Sequence, residues 1–179
     1  ELHLPTEYAQ TVFKILHEVG KKFGLRNAGY RAIETLRLEK GYRSWSLDIG
    51  PDHTPDEAGL GWAVKMRSNI PFKGRDAVAK QRQNGVKKIM ATFITGPEII
   101  LSGRETIYRN GERCGWLSSA GFGHTIGKSI GMGFVRSDTA IDRDYVLSGA
   151  YELEVASVRV CADVKLAPLF DAKLEKVKV

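Results

Sequence analysis

From Tyr151 to Leu166 the chain alternates apolar and polar residues almost without a break. Tyr151, Leu153 and Val155 alternate with Glu152 and Glu154, and Val158, Val160, Ala162, Val164 and Leu166 alternate with Arg159, Cys161, Asp163 and Lys165. Successive strand side chains point to opposite faces, so this spelling buries one face and wets the other. It predicts antiparallel sheet covering a core. Upstream, Ile107-Tyr108-Arg109 and Glu112-Arg113-Cys114 flank Asn110-Gly111, a dipeptide suited to a type I′ hairpin turn. Arg109 and Glu112 are placed to pair across that turn. Several short strands in succession point to a small barrel.

The first half of the chain is written at a different period. Tyr8, Val12, Ile15, Leu16 and Val19 recur at helical spacing, and Lys14, Glu18, Lys21 and Lys22 lie opposite them. This predicts an amphipathic helix from Pro5 to about Phe23. A second helix is expected from about Gly29 to Lys40, and a third from about Arg75 to Asn84, stopped by Gly85. Thr54-Pro55-Asp56-Glu57 has the layout of a capping box, with proline at the first helical position. Gly59 and Gly61 follow closely, so any helix there is short. The turn feeds a core segment and leaves room for a pocket beside it.

Glu39 breaks two local rules. With Ala28, Ala32 and Leu36 it falls on one helix face, and Gly41 ends the helix just beyond it. An anion in a last turn opposes the helix macrodipole. A residue at odds with its surroundings is a candidate site residue. The plain alternative is a glutamate that is solvated or paired with Arg37.

Composition excludes several classes. Of 179 residues, 42% are hydrophobic and 27% charged, which is ordinary for a globular protein. No apolar run approaches the ~20 residues of a membrane span. Cys114 and Cys161 are far apart and lack metal spacing, and His3, His17, His53 and His124 form no ligand set, so no metal is predicted. Two free thiols suit a reducing compartment. The net charge of +6 is spread along the chain without a recognition-helix or RNA-binding signature, so nucleic acid is not expected. The glycine-rich run Gly121 to Gly127 sits among alternating residues with no helix after it. It reads as barrel bends or bulges, not a phosphate cradle.

The stretch "NAGYRAIETLRLEKGYRSWSLDIGPDHTPDEAGLGWAVKM" (27–66) resembles the folate-binding segment of the glycine cleavage T-protein (aminomethyltransferase) family. "FKGRDA" (72–77) and "IYRNGERCGWLSSAGFGHTIGKSIGMGFV" (107–135) continue the likeness into that family's C-terminal barrel. It covers most of the chain from about Gly24 to Val164. Within the family it is most similar to the C-terminal region of flavin-dependent sarcosine dehydrogenases, then dimethylglycine dehydrogenases.

The resemblance implies an α+β fold: the end of an aminomethyltransferase-type folate-binding α/β domain over residues 1–85, then a small antiparallel β-barrel of six strands over 86–179. It implies that Glu39, as the Glu of an Arg-x-Glu-x-Gly motif, holds the pterin. A carboxylate can accept a ring N–H and an exocyclic amine side by side. Trp45, where aminomethyltransferases commonly carry Tyr-Gly over Trp45-Ser46, could stack on the pterin or benzoyl ring; a core or hinge aromatic is the alternative. Arg67 lies near where the family places a folate-contacting arginine, a solvated arginine being its alternative.

The implied parent oxidises an N-methyl amine at FAD in an N-terminal domain and passes the methyl group to tetrahydrofolate as 5,10-methylenetetrahydrofolate. Tetrahydrofolate, with or without a polyglutamate tail, and the upstream flavin domain are the expected partners. The family's catalytic aspartate lies upstream of anything here, and the chain begins with Glu1, so a C-terminal fragment without catalytic residues of its own is expected. Alternatives are a glycine-cleavage aminomethyltransferase, or a non-catalytic relative like the regulatory subunit of pyruvate dehydrogenase phosphatase. The compartment implied is the mitochondrial matrix in a eukaryote and the cytoplasm in a bacterium.

Overall fold

The computed structural model describes residues 1–178. The chain divides into two compact units, Glu1–Ile33 and the residues from Glu34 onward.

In the first unit a 3-10 turn at Thr6–Tyr8 leads into α1 (Ala9–Gly20), and a second at Lys21–Phe23 follows. The predicted segment is therefore helical throughout, with both ends tightened. The chain then reverses at Gly24, and the Leu25 amide donates to the Gly20 carbonyl at 3.0 Å. Phe13, Leu16, Val19, Phe23 and Leu25 line a shallow apolar groove. The expected stripe is present, yet none of α1 is buried.

Helix α2 (Tyr30–Glu39) begins in the first unit and ends in the second. Its C-terminus is a Schellman motif: Gly41 takes φ 66, its amide donates to Leu38, and the Tyr42 amide donates to Arg37. Helix α3 (Arg75–Asn84) stops at Gly85, whose φ is 76, as the sequence predicts.

The strands are β1 (Val86–Thr95), β2 (Thr106–Arg109), β3 (Glu112–Gly123), β4 (Lys128–Ile141), β5 (Tyr151–Val155) and β6 (Val158–Lys165), with a short helix α4 (Arg143–Leu147) between β4 and β5. They close into an antiparallel barrel in the order β1-β4-β3-β2-β5-β6, sealed by pairing of Phe93 with Val164. The mixed α and β architecture and the six-stranded antiparallel barrel are those expected. Asn110 and Gly111 both take positive φ in the β2–β3 turn. Arg109 and Glu112 do face each other in register, but the Arg109 guanidinium turns to the Tyr145 carbonyl at 2.8 Å and stacks on the Tyr145 ring.

Phe93, Ile107, Leu117, Val135 and Leu153 fill the barrel interior. A second cluster, Leu38 with Met90, Ile130, Met132 and Phe134, lies on the opposite faces of β1 and β4, where the end of α2 packs. Strand β4 is thus covered on both sides, which is why Ile130 to Val135 lacks polar alternation. Gly133 allows a close approach of β3 and β4, since a Cβ there would meet the Trp116 carbonyl oxygen and lie 3.0 Å from Leu117 Cα.

Candidate functional site

The end of α2 explains Glu39. Its side chain is 1% exposed. Oε1 accepts the Thr125 amide at 2.6 Å and the Ile126 amide at 3.3 Å. Two successive N–H groups of the β3–β4 turn form a small anion nest, filled by a carboxylate of the same chain. The turn is the glycine-rich run read as a barrel bend, and it is one. The last-turn anion is offset by these donors, so it is a tie between helix and barrel. The Glu39 carbonyl in turn accepts the amides of Leu169 and Phe170, both at 3.0 Å. Lys40 holds the same tail by donating to the Asp171 carboxylate at 2.9 Å. That ammonium keeps the Asp171 carboxyl below its usual range.

Arg37 does not pair with Glu39. It bridges Glu34 and Asp48. Asp48 is a hub that the sequence reading did not single out. It is buried, and besides Arg37 it accepts the Ser44 amide at 2.9 Å, the Ser119 hydroxyl at 2.6 Å and the Ser118 hydroxyl. Its only sequence signal is an aspartate spaced four residues after a serine, an ordinary loop signature. Arg43 donates to the carbonyls of Ala58 at 2.9 Å and of Gly41. Burial pushes its guanidinium below the usual arginine value.

These bonds fix the loop from Ser44 to Gly50 against the turn from Thr54 to Leu60. The capping box forms as expected: the Thr54 amide donates to Glu57 Oε2 at 2.9 Å, and the Glu57 amide donates to the Thr54 hydroxyl at 3.4 Å. Between loop and turn lies a groove of about 300 Å³, lined by Trp45, Ile49, His53, Pro55, Leu60 and Val64 among others. It is walled mainly by apolar groups and is large enough to seat a flat ring system. Trp45 is 66% exposed and forms one wall. His53 stacks on Phe134 at 4.6 Å, and its Nδ1 accepts the Gly50 amide at 3.1 Å. With Nδ1 accepting, neutral His53 carries its proton on Nε2.

The three residues singled out from sequence stand in different settings. Trp45 lines the groove. Glu39 is interior and held by backbone amides. Arg67 is exposed, in the turns between Val64 and α3. Glu39 and Arg67 do not line the groove. Among the described residues no group of three or more His, Cys, Asp or Glu side chains could hold a metal ion. Likewise, no helix is long and apolar enough to cross a membrane.

Comparison with known proteins agrees with this architecture. The GCVT N-terminal domain model matches residues 1–68, and the glycine cleavage T-protein C-terminal barrel domain model matches residues 87–171. Mitochondrial sarcosine dehydrogenase of Mus musculus is 39% identical over 99% of this chain. The mitochondrial pyruvate dehydrogenase phosphatase regulatory subunit of the same species is 36% identical over 94%. The chain spans 20% of the length of each of these relatives. The crystal structure of the glycine cleavage system aminomethyltransferase T from Bartonella henselae superposes with a TM-score of 0.76 at 24% identity, over 94% of this chain and 45% of that one. With both of the family's domain models matched in order, and the barrel that the second describes closed by six strands, the chain belongs to the glycine cleavage T-protein family.

Proposed function

We propose that this chain supplies part of the tetrahydrofolate site of a flavin-dependent N-methyl amine dehydrogenase of the sarcosine type. The observation that carries the reading is the 39% identity to sarcosine dehydrogenase across 99% of the chain. In this reading the folate accepts the oxidised methyl group as 5,10-methylenetetrahydrofolate, and FAD belongs to another domain of the same protein. The matrix compartment is proposed from the same relative.

Within the chain, Trp45 offers a stacking wall beside the apolar groove, and the His53 Nε2–H is a donor on that groove's lining. Glu39 is the polar anchor of the proposal. This role rests on the family likeness: Glu39 is interior and outside the Trp45 groove, its Oε1 is engaged by two amides, and a pterin edge in contact with it would have only Oε2 to bind. Arg67 supplies an exposed cation for the ligand's carboxylates. The proposed division between the folate domain and the barrel stands near Gly85, where α3 gives way to β1.

The test uses the full-length enzyme. Tetrahydrofolate binding is followed by calorimetry, and amine oxidation with an artificial electron acceptor. Trp45→Ala is expected to weaken folate binding about five- to tenfold, as loss of one aromatic stack does, and to leave amine oxidation intact. Unchanged folate affinity refutes the placement. The 36% identity to the phosphatase regulatory subunit supports a second, non-catalytic reading. That reading predicts no amine oxidation by the full-length protein with any N-methyl amine. Methylene transfer from an aminomethyl-lipoyl carrier, without flavin, would replace both by an aminomethyltransferase.

A further inference from the structure

The barrel unit carries a second concavity besides the groove beside Trp45. It has a volume of about 700 Å³ and lies across the turn end of the β2–β3 hairpin, the latter part of β4 and the start of β1. Lys87, Lys88, Arg109, Arg113 and Arg136 line it, with Glu57, Glu112 and Asp138 as the acids. Its size falls in the range of small-molecule sites.

The charges do not cancel. Glu57 is spent locally: its carboxylate caps the Thr54 turn and stands 3.8 Å from the Lys88 ammonium. Among the described residues no ion pair joins Lys87, Arg109, Arg113 or Arg136 to an acid. Glu112 and Asp138 are both exposed. The Arg109 guanidinium carbon lies 3.8 Å from the Tyr145 ring centroid, and that of Arg136 lies 4.3 Å from the Trp116 ring centroid. Each stack fixes a guanidinium fork in place, lowering the entropy lost when it takes a ligand. The Arg136 Nε is buried and has no hydrogen-bond partner. A buried donor without an acceptor is rare, and here it belongs to a cation that lines the basic concavity.

We propose that this groove binds a small oligoanion, a molecule or chain end bearing several carboxylate or phosphate groups, with Arg136 as its central contact and Arg113 and Lys87 at its rim. Planar guanidinium forks suit either anion. A nucleic acid fits less well: the concavity is hemmed by Glu112 and Asp138, which repel a long charged backbone, and Trp116 already carries Arg136. The groove adjoins the proposed folate groove, since Glu57 lines one and its neighbours Thr54, Pro55 and Ala58 line the other. Its charge stands whatever fills the Trp45 side.

The test titrates the chain with tri-γ-glutamate and with tripolyphosphate by calorimetry at low salt. At least one probe is expected to bind with a stoichiometry of one, and the preferred probe tells carboxylate from phosphate. Binding should weaken as salt shortens the Debye length from about 30 Å at 0.01 M to about 3 Å at 1 M. Arg136→Gln should weaken it about tenfold, the effect of one charge-assisted contact. Arg113→Gln, on an exposed side chain that folding does not use, should weaken it severalfold, and Lys22→Gln on the first unit should not change it. The proposal is overturned if neither probe binds saturably, if a duplex or single-stranded nucleic acid binds while both probes fail, or if Arg113→Gln and Arg136→Gln bind like the parent.

Discussion

Removing the Glu39 carboxylate tests the tie between helix and barrel directly. Glu39→Ala deprives the Thr125 and Ile126 amides of their acceptor, at 2.6 and 3.3 Å. A hydrogen bond to a charged acceptor contributes about 1.5–3 kcal/mol. The deleted methylene adds about 0.8 kcal/mol of lost burial. Relief of an anion at a helix C-terminus returns roughly 0.3–1 kcal/mol. The net expectation is a destabilisation of about 1.3–3.5 kcal/mol, or a fall in melting temperature of about 3–14 °C for a chain of this size. Glu39→Gln keeps an oxygen for both amides and should cost about 1 kcal/mol. Denaturant titration and amide hydrogen exchange at Thr125 and Ile126 are the assays. The reasoning fails if Glu39→Ala melts within a degree of the parent and those amides stay protected. In the full-length enzyme the same pair separates brace from ligand. A pterin contact predicts that Glu39→Gln weakens tetrahydrofolate binding about tenfold with little change in stability. A brace alone predicts unchanged folate affinity in the folded glutamine variant.

Other perturbations probe neighbouring parts. Asp48→Ala should destabilise the chain by about 2–3 kcal/mol in a urea titration, because it removes one of the two carboxylates on Arg37 and the acceptor of the Ser119 hydroxyl, while Arg37 keeps Glu34 and Ser118 keeps the Met132 carbonyl. Gly123→Ala places a methyl 2.8 Å from Ile126 and 3.0 Å from Glu39 Oε1, so it should lower the melting point by several degrees and deprotect the Thr125 amide; a neutral effect would show that the turn yields easily. Burial pushes the Cys114 thiol up to about 11, against the partly opposing charge of Arg109. At about pH 8, iodoacetamide should therefore label exposed Cys161 and spare Cys114, whose labelling should climb only as pH approaches 11. The Asp171 carboxyl is held below its usual value by Lys40, so that contact adds stability above the ordinary carboxylate value of about 4 and loses it as pH falls through the lowered value. Hydrogen exchange at Leu169 and Phe170 should accelerate in acid or in Lys40→Met, and pH-independent protection of those amides would refute the tail anchor.

The regular elements were legible because their signals are local. Alternation in Tyr151 to Leu166, the Asn110-Gly111 turn, the Gly85 stop and the Thr54 capping box each depend on residues a few positions apart, and each appears where the spelling puts it. Arg109 was legible in register but not in partner. Cross-strand geometry offered Glu112, whereas the fold brought up the carbonyl and ring of Tyr145, thirty-six residues away. Trp45 was legible as a candidate and does line a groove. Asp48 was not, because its serine partners on β3 lie 70 and 71 residues downstream and only closure of the barrel delivers them.

By itself the sequence determined the helices, the strands, the antiparallel barrel and the family likeness, since hydrophobic period and turn chemistry act over a few residues. The tertiary structure decided where the charges go. Glu39 looked anomalous because its donors belong to a turn eighty-six residues further along, and the cations around Arg136 became a groove only when β1, β3 and β4 were laid side by side. Burial and partnership of an ionic group are properties of the space around it, and that space is assembled from segments whose spelling carries no mark of one another.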